Sequence, residues 1–141
     1  MHNTLQNRLK LATKSLHEEA QSTCFIERLL NSTLPESQYV QYISQLSFVY
    51  QALESKLNEL EQYTELSLFQ MQELRRHQLL AQDLHSFNYD NQSAVEVCDQ
   101  YCQDINSITA ATRFRLIGHC YVRYFGDLNG GQIIKKVLLK K

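Results

Sequence analysis

Across 141 residues the chain contains a single proline, Pro35, and only four glycines. Sheet folds consume these two residues at their turns, because glycine supplies positive φ and proline presets the bend. A chain with so little punctuation has few ways to return strand on strand, whereas helices need only caps. Apolar residues indeed recur at helical spacing from end to end. Leu5, Leu9, Ala12, Leu16 and Ala20 form a first stripe, and Phe25, Ile26, Leu29 and Leu30 a short second one. Val40, Ile43, Leu46 or Ser47, Tyr50, Leu53, Leu57 and Leu60 line a long third helix. Leu66, Phe69, Leu74, Leu80, Leu84 and Phe87 predict a fourth, ended by N-Y-D-N-Q. A fifth is expected over roughly 94 to 106, and a last one after Ile108 reaching the C-terminus. Thr33 with Glu36, and Ser93 with Glu96, read as capping boxes at two of these starts. With no repeat, low-complexity tract or linker, the expectation is all-α: a single-domain helical bundle over residues 1–141.

The charge balance narrows the partners. Net charge is −1 and basic residues are not massed until the last few positions, which argues against a nucleic-acid surface. No apolar run has the length of a membrane span. The opening M-H-N-T-L-Q-N-R-L-K lacks the apolar core of a signal peptide, so the expected location is cytoplasmic. Cys24, Cys98, Cys102 and Cys120 match no zinc spacing and read as reduced thiols.

One segment breaks the helical economy. Gly126, Gly130 and Gly131 fall within six residues of an otherwise helical pattern. Each costs about 1 kcal/mol relative to alanine, so the three together cost about 2–3 kcal/mol. A close helix contact, or one helix ending and another starting, would explain their spacing. It would not explain the polar residues threaded between them. Arg123 and Asp127 are four apart and can pair across one turn. Asp127 precedes Gly130 and Gly131 by three and four residues, on the same face. Bare backbone beside a carboxylate suits a flat ligand lying against a broken, glycine-opened helix.

Of the five histidines, His17 has the most suggestive neighbours. Lys10, Thr13, His17 and Gln21 form a polar line along the first helix. Gln21, one turn beyond His17, could accept a hydrogen bond from its ring and so orient it for a metal. Lys10 or Lys14 could meet an anionic group at a ligand's edge. From spacing alone a solvated helix face stays the leading account of this line. His119, and the pair His77 and His85, have no comparable setting.

Two windows together resemble the haem oxygenases. L-K-L-A-T-K-S-L-H-E-E-A-Q at 9 to 21 is similar to that family's proximal helix. H-C-Y-V-R-Y-F-G-D-L-N-G-G-Q-I-I-K-K at 119 to 136 is similar to its distal helix. F-V-Y-Q-A-L-E at 48 to 54 and Q-D-L at 82 to 84 fall in the expected order, so the resemblance runs from about residue 5 to the C-terminus. It implies an all-α fold that sandwiches haem, which is both cofactor and substrate. The implied reaction cleaves haem to biliverdin, carbon monoxide and ferrous iron. It uses O₂ and an external electron donor such as a ferredoxin, a flavodoxin or an NADPH-dependent reductase.

By resemblance, His17 is the axial iron ligand, and the backbone at Gly126, Gly130 and Gly131 lies against the haem. Asp127 holds a water network that delivers protons on the open side of the iron, with Arg123 and Tyr50 matching positions in that network. Lys10, Lys14 and Tyr121 match the region that meets the propionates. Gln21 stands where the family usually has glutamate, Asn129 replaces a serine, and Val122 a threonine. The chain stops at K-K-V-L-L-K-K, before further helices that family members carry. The resemblance therefore implies a C-terminally shortened form: minimal in itself, completed by a second copy in a homodimer, or a remnant. The alternative to the enzyme is a haem-binding protein with little or no turnover.

Overall fold

The computed structural model describes residues 4–90 and 93–138. The chain is all-α. Among the described residues seven α-helices run α1 Leu5–Gln21, α2 Cys24–Leu30, α3 Glu36–Glu59, α4 His77–Ser86, α5 Glu96–Asn106, α6 Phe114–Cys120 and α7 Gly126–Leu138. A π-helical segment, Tyr121–Phe125, joins α6 to α7, and 3₁₀ turns occupy Thr64–Gln70, Gln72–Leu74 and Ala110–Thr112. Among the described residues no helix is long and apolar enough to cross a membrane. The backbone groups into two compact units, Met1–Leu34 with Gly131–Lys141, and Pro35–Gly130.

In the first unit α1 and α2 pack on each other, each opened by a threonine cap. Thr4 Oγ1 accepts from the Asn7 amide and Thr23 Oγ1 from the Ile26 amide, satisfying donors the helix itself leaves free. Leu29 of α2 is buried. From Asn7 to Gln21, by contrast, every α1 side chain is exposed, and Leu16 stands 68% open.

In the second unit α3 is the spine. It packs against α4, α5 and α6 and buries ten residues, among them Val40, Ile43, Tyr50, Leu53 and Leu57. Leu66, Ile105, Ile108, Leu116 and Cys120 close the core around it. Neither expected capping box forms. Pro35 holds the position before α3 in an extended conformation, so Thr33 falls short of the helix and its hydroxyl turns back to the Arg28 carbonyl. Val95 takes the corresponding place before α5, and the cap comes from α3 instead. Gln45 accepts from the Val95 amide at 2.8 Å and donates to the Ser93 carbonyl at 3.4 Å.

The expected fourth helix also divides. Leu66 and Phe69 enter the core from a 3₁₀ turn, where residues three apart eclipse. Met71 and Arg75 are extended, and the α-helix starts only at His77. Bonds to α3 override the apolar periodicity. The Arg75 guanidinium donates to the Glu54 carbonyl at 3.1 Å and to Asn58 Oδ1 at 2.7 Å. The Glu54 carboxylate accepts the Arg76 and His77 amides at 2.6 and 3.1 Å, capping α4 where no local side chain does.

Because α4 depends on that distant carboxylate, Glu54→Ala should cost about 1.5–3 kcal/mol, the range for hydrogen bonds to a charged group. Urea unfolding would report the loss, and amide exchange should accelerate first at the start of α4. Uniform acceleration across the chain would show that Glu54 does not cap it.

Candidate active site

The segment from Phe114 to Leu138 is helical throughout, and its irregularity is not where the glycines are. Gly126 has φ −63° and ψ −50°, ordinary helical values, and no glycine has positive φ. The expected break at the glycines is thus a π-helical widening of the five residues before them. Glycine is used here for its missing side chain rather than for its backbone freedom. A Cβ built at Gly126, Gly130 or Gly131 meets no described atom within 4 Å beyond its own helix and chain neighbours. A close helix contact therefore does not account for them, since packing among the described residues leaves room for alanine.

Leu116, Cys120 and Tyr124, four apart, carry the buried face of this segment through the widening. Asp127 follows three residues later, half-buried. The Tyr50 hydroxyl donates to Asp127 Oδ2 at 2.6 Å and lies 3.2 Å from the Arg123 carbonyl oxygen. Tyr50 is 2% exposed, and its ring sits 5.6 Å from that of Tyr124. Burial first, then the hydrogen bond and negative charge of Asp127, hold the Tyr50 phenol far above its ordinary pKa against the opposing pull of Arg123 and Arg76. Tyr50 is therefore a permanent neutral donor that fixes one carboxylate oxygen and leaves the other to act.

Arg123 does not pair with Asp127 as its spacing predicts. Among the described residues no ion pair to it lies within 4 Å, and its Nε is buried without a partner. Its charge still counts: Arg123 and Asp127 act with opposite sign on the phenols of Tyr42 and Tyr101, both raised mainly by burial. The Tyr101 hydroxyl meets His119 Nδ1 at 3.0 Å, and burial with Arg115 lowers the His119 pKa against Asp104. Tyr42, Tyr101 and Glu54 escaped the sequence reading, since nothing in spacing ties them to Asp127 or to α4.

The remaining candidates lie on α1 and at the start of the π segment. His17 is exposed, and among the described residues neither Gln21 nor any other group hydrogen-bonds its ring. Lys10 is exposed, and Lys14 makes an exposed 3.6 Å pair with Glu18 that contributes little. Tyr121 is exposed, its ring 5.6 Å from Phe125. Tyr50, Arg123 and Asp127 thus form one cluster, while Lys10, Lys14 and His17 share one helix of the other unit.

Comparison with known proteins identifies the family. The family model described as Heme oxygenase matches residues 3–141. Heme oxygenase 1 of Nostoc sp. is 33% identical over 97% of this chain and 59% of its own length. Heme oxygenase 2 of Oryctolagus cuniculus is 31% identical over 94% of the chain and 44% of its own length. The crystal structure of heme oxygenase-1 from Synechocystis sp. in complex with heme superposes with a TM-score of 0.84 at 30% identity, covering 94% of this chain and 62% of that one. That of Leptospira interrogans heme oxygenase gives 0.83 at 31%, covering 92% and 65%. The chain belongs to the haem oxygenase family. It spans about three-fifths of the length of the first of these curated relatives.

The raised Tyr50 pKa makes stability depend on pH in a definite direction. The folded chain keeps a phenol proton that the unfolded chain loses near pH 10.0. Its contribution is complete below that pH and is lost as pH rises above it. Tyr50→Phe should therefore flatten the alkaline fall of the urea midpoint. An unchanged slope would mean that Tyr50 ionises in the folded protein as easily as in water.

Proposed function

We propose that the chain cleaves haem oxidatively to biliverdin, carbon monoxide and ferrous iron, using O₂ and electrons from an external ferredoxin, flavodoxin or NADPH-dependent reductase. Membership of the family supports this, and so does one feature above all: a carboxylate fixed at 2.6 Å by a buried phenol, next to three helical glycines with open space beside them. These residues fit haem. Helix backbone without side chains admits a flat ring that any Cβ would hold off, and the exposed His17 imidazole is free to ligate iron. We read the whole of 1–141 as one haem oxygenase-like domain. Its four cysteines are unpaired thiols, in keeping with a reducing compartment such as the cytoplasm.

Each residue then has a part. His17 would hold the iron through its imidazole. Lys10, Lys14 and Tyr121 meet the propionates by charge and hydrogen bonding. Gly126, Gly130 and Gly131 let the backbone lie close to the ring. Asp127 holds water on its free oxygen and hands protons toward the reacting side, Tyr50 keeps that carboxylate aimed, and Arg123 biases the local charge. Bound haem supplies the iron that takes up O₂ and is itself the molecule consumed.

Mixing the protein with haemin and a reductant, and following the visible spectrum, tests the reading. Biliverdin should replace the haem band. A haem band that persists would instead identify a protein that holds haem without turning it over. His17→Ala should remove the axial-ligand signature and most of the cleavage, and added imidazole should restore part of both. If His119→Ala removes the ligand instead, His17 is not the axial residue.

Asp127→Ala should bind haem as well as the parent yet form biliverdin about 100-fold more slowly or worse, as expected when a positioned proton carrier is lost. Parental rates in that variant would reduce Asp127 to an anchor for Tyr50.

A further inference from the structure

Two thiols that the proposed haem chemistry does not use stand together on α5. Cys98 and Cys102 are four residues apart on one helix, so they share a face, one above the other. Cys98 is 9% exposed and Cys102 is half-buried, and both are free thiols. Their sulfurs converge. The Cys102 thiol is hydrogen-bonded to the Cys98 sulfur, and the Cys98 thiol donates to the Gln45 carbonyl of α3 at 3.4 Å. On a solvated helix face both side chains would turn to water. Here the neighbouring helix holds one sulfur, and that sulfur holds the other.

Spacing decides what such a pair can do. Side chains one helical turn apart have Cβ atoms roughly 5–6 Å apart, whereas a disulfide needs roughly 3.5–4.5 Å. The pair therefore cannot close on itself without unwinding α5. A bridging ion asks less of the helix. Two thiolate–metal bonds of roughly 2.3 Å, the value for zinc, span up to about 4.6 Å between sulfurs. Zinc does not fit, because a structural site needs four ligands and among the described residues no three His, Cys, Asp or Glu side chains converge to hold a metal. Two soft sulfurs alone suit a soft ion of low coordination number.

We propose that Cys98 and Cys102 bind one monovalent thiophilic ion, Cu(I), between their sulfurs. Both thiols are protonated at neutral pH. Burial raises Cys98 against the Cys102 hydrogen bond, and burial followed by Cys98 itself pushes Cys102 up to about 11. Asp99, on the same helix, raises both further. Binding therefore releases two protons to solvent and leaves an anionic bis-thiolate complex, with copper neither oxidised nor reduced. The ion takes the place of the proton that now lies between the two sulfurs. The site makes no use of Asp127 or of haem, so it stands or falls apart from the enzyme reading.

Anaerobic titration of the reduced, haem-free Cys24→Ser chain with Cu(I), in competition with bicinchoninate, tests the site. The background substitution removes the exposed thiol. The chain should bind one Cu(I), release two protons as it does so, and show two sulfur neighbours of copper by X-ray absorption. Cys98→Ala and Cys102→Ala should each weaken binding by more than the roughly 10–100-fold that groups acting through a ligand contribute. Cys120→Ala, which removes the buried thiol of α6, should bind like its parent. Circular dichroism shows which variants fold. If Cys98→Ala does not, the half-buried Cys102→Ala and the X-ray absorption of the intact pair still decide. Absence of binding, binding that survives loss of either α5 thiol, equal loss in Cys120→Ala, or nitrogen or oxygen neighbours around copper overturns the proposal.

Discussion

The bond from the Tyr50 hydroxyl to the Asp127 carboxylate joins two helices across 77 residues of sequence. Around it the polar and apolar demands of the fold are met together. Tyr50 must be buried to reach Asp127, and α3 can bury it only because α4, α5 and α6 cover that helix. The same burial makes the hydrogen bond strong, since little water competes for either partner. A carboxylate beside bare helix backbone would otherwise swing freely into solvent. Tied down, it presents one oxygen to the protein and one outward.

Much of this was legible in the sequence, and the limits are physical. The scarcity of glycine and proline, with apolar spacing near 3.6, leads directly to an all-helical chain and to the cores of α2, α3 and α5, though six helices are expected where the described residues form seven. What periodicity cannot show is where a tertiary bond beats it. Arg75, Arg76 and His77 continue an apolar helical pattern, yet Glu54 and Asn58 of α3 claim their donors and restart the helix there. Thr33 and Ser93 satisfy a capping pattern in one dimension, but Pro35 and Gln45 settle those ends. Tyr50 and Asp127 are too far apart for any spacing argument to link. Only resemblance put both residues in one site.

The irregularity of Phe114–Leu138 does not lie at its glycines. Each costs helix stability, yet the backbone there is plain helix. The deviation sits one turn earlier, where Tyr121–Phe125 widen to π-helix. Arg123 does not close on Asp127, and the carboxylate is held by Tyr50 instead.

Gln45 carries a consequence of a different kind. Its amide gives a proton to one end of the Ser93–Val95 turn and takes one from the other. A contact of that type has polarity: glutamate would present an acceptor to a carbonyl, lysine a donor to an amide, and leucine nothing to either. Few side chains can replace it, and a helix seated on it can neither slide nor rotate without losing one half. The helix so seated is α5, which brings the Tyr101 ring within range of Arg123 and Asp127. An uncharged side chain on α3 thus acts as a keyway for the helix that carries Tyr101.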